Sequence, residues 1–476
     1  MGIVSLYKIF QKGAAQSARS CRCTAIFVSK FPVKAVSETT FGLFMMALAE
    51  LILVPWRQIR RKFWGPTKSM AHDGILHSQT ILKVPTKQVT LAMEHALSIP
   101  CPDLTDEARD HDFHQKRGLG FARQEDWAGL SQAIASAEET RAKTTGGMPV
   151  AELLAFGART DVVGLVEHAL ITGKPDRDAP IMEGIEALED VLSDHSDDAI
   201  IASIIAQAHM DIGWAWRGTG ADIFVPVHNR EAFDAHFERA ADILAGFDQK
   251  NIKIPLFAAT RCALNAGLSA PVEKIVADYE TWLKLDPHNA RVLRAMGNHL
   301  LPRWHGTYDR LEIEARRAAS KTAYIWGAGG YTWTMFDAIS SDAKACARLD
   351  LRLFCDGLID IVRHCPDQYT VNLLAAYCAS TIGAMPTGQG EADYVRAQIA
   401  AAAKWLIIDH MTELHPMVWA NAARGFDNAL KVRCPKRYAA SGHADARRFL
   451  VNLFHSELAV GHEVLFTEKG AKTRMA

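Results

Sequence analysis

Asp106, Asp110 and His114 fall at i, i+4 and i+8 in the run DEARDHDFH. On a helix that spacing puts two carboxylates and an imidazole on one face. Such a face could hold a hard or borderline metal ion. A solvated helix face has the same composition, and no metal is expected here. Glu167-His168, His209-x-Asp211 and the pair His410 and His415 all lack the HExxH framework of a zinc hydrolase. An enzyme on this chain would need a deep pocket that gathers groups such as His209, Asp211 and Arg217. The glycine motifs GAGGY (Gly327–Tyr331) and GLGFAR follow helical sequence. A dinucleotide loop follows a strand, so GAGGY reads as a turn between helices, GLGFAR fails the same test, and no cofactor is expected. The chain has no P-loop, no G-x-S-x-G elbow and no nucleophile with a visible base.

Two corners mix cations with aromatic rings. Arg303-Trp304-His305 follows Pro302, and GWAWRGTG (Gly213–Gly220) carries Trp214, Trp216 and Arg217. Each corner has two readings. One is a ligand or partner contact, because exposed aromatic-plus-arginine corners recur as binding hot spots. The other is an anchor: Trp304 packed under its loop with Arg303 on helix-end carbonyls, and Arg217 in a last helical turn with Gly218 as left-handed cap. Trp214, Trp216, Arg217, Arg303 and Trp304 are the binding candidates, and a catalytic set is not identifiable.

The elements that must position these residues follow from composition and periodicity. The 476 residues carry 53 Lys plus Arg against 54 Asp plus Glu, a formal charge of −1. That balance gives no electrostatic case for nucleic acid, which demands a basic face. Apolar residues make up 49% of the chain, too many for disorder. Nine cysteines without a CxxC pair point to reduced thiols in a cytoplasmic setting and not to a disulfide framework or a zinc site.

Residues 1–37 hold no acidic residue, and the apolar run FGLFMMALAELILVPW (Phe41–Trp56) precedes the basic run RQIRRKFW. The run is shorter than the ~20 residues of a spanning helix and contains Glu50. Three readings remain: a membrane-surface anchor through Phe41–Lys62, a transit-like leader, or residues upstream of a true start such as Met70.

Beyond residue 148 the periodicity is helical. Ile181, Ile185, Leu188 and Leu192 form one stripe, Phe233, Phe237, Ala240 and Leu244 another, and Leu351, Phe354, Leu358 and Ile361 a third. The short ADIFVPV and NIKIPLF are interrupted by proline, and EVLFT reads as an isolated extended piece. Stripes end near His195, Ala245, Asp286-Pro287 and Cys365-Pro366, at gaps of roughly 50, 41 and 79 residues, and a period of about 40 marks stacked helix pairs. Within LDPHNARVLRAMGNHLLPRWHG, Pro287 stops one helix, Asn289 caps the next, and Leu293, Met296 and Leu300 form its buried stripe. Asp309 and Glu312 have the spacing of a capping box for the helix that follows.

IVADYETWLKLDP resembles the second helix of a tetratricopeptide repeat, with Ile275, Tyr279 and Trp282 at the A-x3-F-x2-A places before Pro287. FDAHFERA is similar. GWAWRGTG and LLPRWHG resemble the corners of a bacterial helical-repeat domain of unknown function over roughly residues 150–345, while Thr219 and His305 stand at its variable places. That resemblance implies an architecture and no activity. The expectation is an all-α chain of tandem helical hairpins forming an α-solenoid: an extension at 1–70, a helical region at 71–147 and a repeat array at 148–470. Its groove would receive a protein or peptide, with no nucleic acid and with membrane contact only through Phe41–Lys62.

Overall fold

The computed structural model describes residues 91–170, 182–218, 222–383, 387–424 and 434–475, all within a compact unit of residues 84–476. Phe41–Lys62, Met70, Ile181 and Thr219 lie outside the described residues. In chain order the elements begin with α1 (Leu91–His95), β1 (Leu97–Ser98), α2 (Asp106–Arg123), α3 (Trp127–Thr140), α4 (Val150–Ala169), α5 (Glu183–Asp194) and α6 (Ala199–Arg217). Next come α7 (Val227–Ala245), α8 (Pro255–Leu264), α9 (Val272–Leu285), α10 (Ala290–His299), α11 (Tyr308–Trp326), α12 (Gly329–Ser341), α13 (Ala343–Ala347) and α14 (Leu351–His364). Then follow α15 (Gln368–Ala376), α16 (Gly390–Trp405), α17 (Pro416–Ala422), α18 (Pro435–Leu453), α19 (His455–Ala459), β2 (His462–Thr467) and β3 (Gly470–Met475). The protein is mostly helical, as the periodicity predicts.

Local chemistry sets the helix ends. Helices cannot satisfy their first amides internally, and here short polar side chains do it. Asp198 accepts from Ile200 and Ile201, Asn289 from Arg291 at 3.1 Å, and Asp350 from Leu353 at 3.0 Å. The stops at His195, Ala245, Asp286 and Cys365 fall where the sequence puts them. Two expectations need correction, the cap of α11 and the isolation of EVLFT. Thr307, not Asp309, caps α11: its backbone is extended and its hydroxyl accepts from Arg310 N at 3.1 Å, while Asp309 in the first turn pairs with Arg348. The proline-interrupted runs are not strands, as their prolines imply: ADIFVPV contributes a single 3-10 turn and then the start of α7, and the proline of NIKIPLF opens α8 at its first turn, where the missing N–H does no harm. EVLFT is not isolated. It lies in β2, which pairs parallel with β1 (Leu97 opposite Val464) and antiparallel with β3.

The tight helix pairings join helices close together in the chain. Helix α2 packs on α4, α4 on α6, α6 on α7 and α8, α8 on α9, α10 and α11 on α12, and α12 on α14. Several approaches are backbone to backbone. A methyl at Gly118 would stand 2.1 Å from Leu154 O, and one at Gly297 would stand 1.7 Å from Thr334 O. Buried apolar side chains gather in two clusters, one running from Trp127 to Phe257, the other from Ala258 to Phe466 with Leu97 added. The boundary cuts through α8. Among the described residues no helix is long and apolar enough to cross a membrane.

Candidate partner-binding rim

Helix α6 is almost wholly buried over its first three turns, then half-exposed from Trp214 onward. Its end is fixed from three sides. Gly218, at φ +67°, donates from its amide to Trp214 O at 2.9 Å. The buried Asn229 of α7 donates from Nδ2 to Trp216 O at 2.5 Å. The Trp214 ring meets Phe233 edge-on at 5.1 Å, and the Arg217 guanidinium lies over it at 5.3 Å. Trp214 and Arg217 therefore form an amphipathic stack against α7, held by dispersion and cation–π attraction.

Beyond this stack the chain turns and exposes apolar side chains. Ile223, Phe224 and Val227 are 84%, 78% and 68% exposed, although Val225 between them is buried. Nothing in this short proline-interrupted run marks the three as exposed, and the turn at Asp222–Phe224 is what the sequence does not show.

The second corner follows α10. Trp304 is half-buried against the core, with Arg303 over its ring at 5.8 Å and donating to Asn298 Oδ1 at 2.7 Å. Trp304 Nε1 is buried and finds no acceptor among the described residues. Beneath it, His299 Nδ1 and Tyr279 OH share a 2.8 Å hydrogen bond, and Tyr279 stacks on Trp282. Burial pushes His299 down to about 4, so its imidazole is neutral at pH 7. The corners connect through the loop after α8: His305 contacts Asn265 O at 2.5 Å, and Gly267 lies against the ring of Phe237, which also faces Trp214. Trp214 and Arg217 pack at the end of α6 and Trp304 packs under its own loop, while Arg303 bonds the Asn298 side chain and not a helix-end carbonyl.

The other candidates do not converge. His209 is buried between Glu189 and His236, at 2.9 Å from each, and Arg239 also binds Glu189. Asp211 pairs with Arg159 Nε at 2.7 Å, and Arg217 belongs to the Trp214 stack. Positions 209 and 211 lie on nearly opposite faces of a helix, which accounts for the separation. Burial would raise Glu189, but hydrogen bonds from Arg239 and His209 outweigh it and hold the carboxyl at about 2. Asp106 pairs with the neighbouring Arg109 instead of facing a ligand, and no group of three metal-binding side chains occurs among the described residues. In GAGGY, Gly327 at φ +55° and Ala328 make the turn between α11 and α12 while Gly329–Tyr331 open α12, and GLGFAR is the end of α2. A cleft of about 500 Å³ between α11 and the segment from α13 to Asp350 is lined by Glu312, Arg316, Arg348 and Asp350, but these are ion-paired within the protein: Arg316 with Glu312 and Asp350, and Arg348 with Asp309.

Comparison of the chain with known protein families, curated proteins and solved structures gives no match.

Proposed function

We propose that the chain is a cytoplasmic protein-interaction or scaffold module, an α-solenoid of tandem tetratricopeptide-like hairpins whose partner docks on the rim at the end of α6. The neighbour-on-neighbour helix pairing supports the array reading, because each hairpin has an apolar face it cannot bury alone. The observation that carries the binding reading is the trio Ile223, Phe224 and Val227, exposed side by side next to half-buried tryptophans and Arg217. Monomeric proteins seldom leave such clusters bare without use, and aromatic-plus-arginine patches concentrate binding energy.

Affinity capture from native cells tests the proposal, comparing the wild type with an Ile223→Ser/Phe224→Ser double variant. A partner held by the wild type and lost by the variant, with thermal midpoints within a degree or two, is the expected result. Equal capture by both proteins rejects the rim.

A further inference from the structure

The two apolar clusters meet at α8: Leu256 and Phe257 belong to one, Ala258, Ala259 and Cys262 to the other. The start of this helix has no local cap. Ile254 offers no side-chain acceptor and Pro255 has no N–H. The first free amide, Leu256 N, is met across 118 positions by Glu138 Oε1 of α3 at 2.7 Å. The Glu138 residue is only 8% exposed.

The charged groups around Glu138 come from both sides of the seam. Arg141, in a left-handed conformation at the end of α3, places Nη1 3.7 Å from Glu138 Oε2 and directs Nε to Leu285 O at 3.1 Å. Glu152 of α4 pairs with Arg291 of α10. Lys143, from the loop after α3, bonds Asp286 at the end of α9 at 2.9 Å. Helix α6, also packed on α3, contributes Asp198, which is engaged about two turns away with Ser131. The seam between the α3–α4 hairpin and α8–α10 is thus polar, and the buried Glu138 carboxyl lies within electrostatic reach of two other carboxylates, Glu152 and Asp286, each already matched to its own cation.

We propose that this seam is a pH-responsive latch between the two parts of the array. With its proton, Glu138 is a neutral cap on α8 and the seam is closed. Without it, a third negative charge is buried beside Glu152 and Asp286, and the α3–α4 hairpin loosens from α8–α10. Burial is the main force that keeps the proton on, and Glu152 and Asp286 add to it. Together they outweigh the Leu256 amide and Arg141 and raise the group from 4.5 to about 7. The sign follows from linkage. A carboxyl whose affinity for its proton rises on closure favours the closed form fully below about pH 4.5, and that advantage is gone once the pH has risen through about 7. The closing equilibrium can change by at most a few hundred-fold over that span, at tenfold per unit. The device is independent of what docks on the rim.

Hydrogen exchange of the full chain at pH 6 and pH 8, corrected for intrinsic rates, reads the latch through peptides covering residues 138–152, 254–260 and 285–291. In the wild type, seam exchange should accelerate up to roughly tenfold at pH 8, with α17–α18 unchanged, and Glu138→Gln should keep the seam slow at both values. A seam indifferent to pH in the wild type, or equally sensitive in Glu138→Gln, overturns the proposal. If Glu138→Gln does not fold, Glu152→Gln serves: removing a like charge should move the midpoint of wild-type opening to lower pH, and an unmoved midpoint overturns the latch.

Discussion

Glu138 and Glu189 show how the same side chain is pulled in opposite directions by its neighbours. Glu138 has one amide and a distant guanidinium, whereas Glu189 has a bidentate Arg239 and the ring of His209. Burial opposes ionisation of both, and only Glu189 has the partners to overcome it. Its folded value lies at about 2, below the ordinary 4.5, so its contribution is present above pH 4.5 and lost as the pH falls toward 2. Glu189→Gln should therefore lower stability by about 2–3 kcal/mol at pH 7 and by little at pH 2–3, which urea titration across that range will read. At the corner after α10, Trp304→Ala should cost about 2 kcal/mol, less than a fully buried tryptophan would, because the ring is half-exposed. The sequence named Trp214, Arg217 and Trp304 because aromatic and cationic residue types stand out at helix ends. It could not name Glu138 or Glu189, ordinary glutamates on amphipathic helices whose partners stand 118 and about 50 positions away.

Among the elements, legibility followed how local the cause was. Proline stops and Asn289 act within a turn, so the ends of α9, α10 and α14 were readable. The start of α11 was displaced by two residues because Thr307 and Asp309 are both good caps, and backbone conformation chose between them. Close helix approach was not readable, since a glycine inside a helix looks like a weak point. Gly297 and Gly120 separate the two cases. A methyl at Gly297 would collide with Thr334 O, whereas one at Gly120 meets nothing within 4 Å. Gly297→Ala should lower stability by about 3 kcal/mol or force α10 away from α12. Gly120→Ala should raise it by roughly 0.5–1 kcal/mol through better helix propensity. Chemical denaturation of the two variants side by side tests the pair.

At the scale of the whole molecule, the mostly helical character was visible in stripes of period 3.6, but the join between the two ends of the described unit was not. Leu97 of β1 sits opposite Val464 of β2, Arg447 donates to Glu94 O and Leu97 O, and Leu414 N donates to Pro100 O at 2.8 Å. A two-residue strand carries no periodicity, and its partner lies hundreds of positions away. Leu97→Asp should release both ends together: limited proteolysis should cut near residue 97 and within β2–β3 at matched rates, while α6–α12 remain resistant. Cleavage confined to the first of these would show that the join is not mutual.

That join also sets an order of events when the chain is made. Arg447 lies 350 positions beyond Leu97, so at about 5–20 residues per second the ribosome needs roughly 20–70 s to deliver the groups that cover it. Helical hairpins can assemble meanwhile from contacts already at hand. The short strand cannot, and its unpaired amides and bare leucine wait in water until the last helices have emerged. Nascent chains arrested before α18 should therefore be the ones that bind holding chaperones through the segment around Leu97.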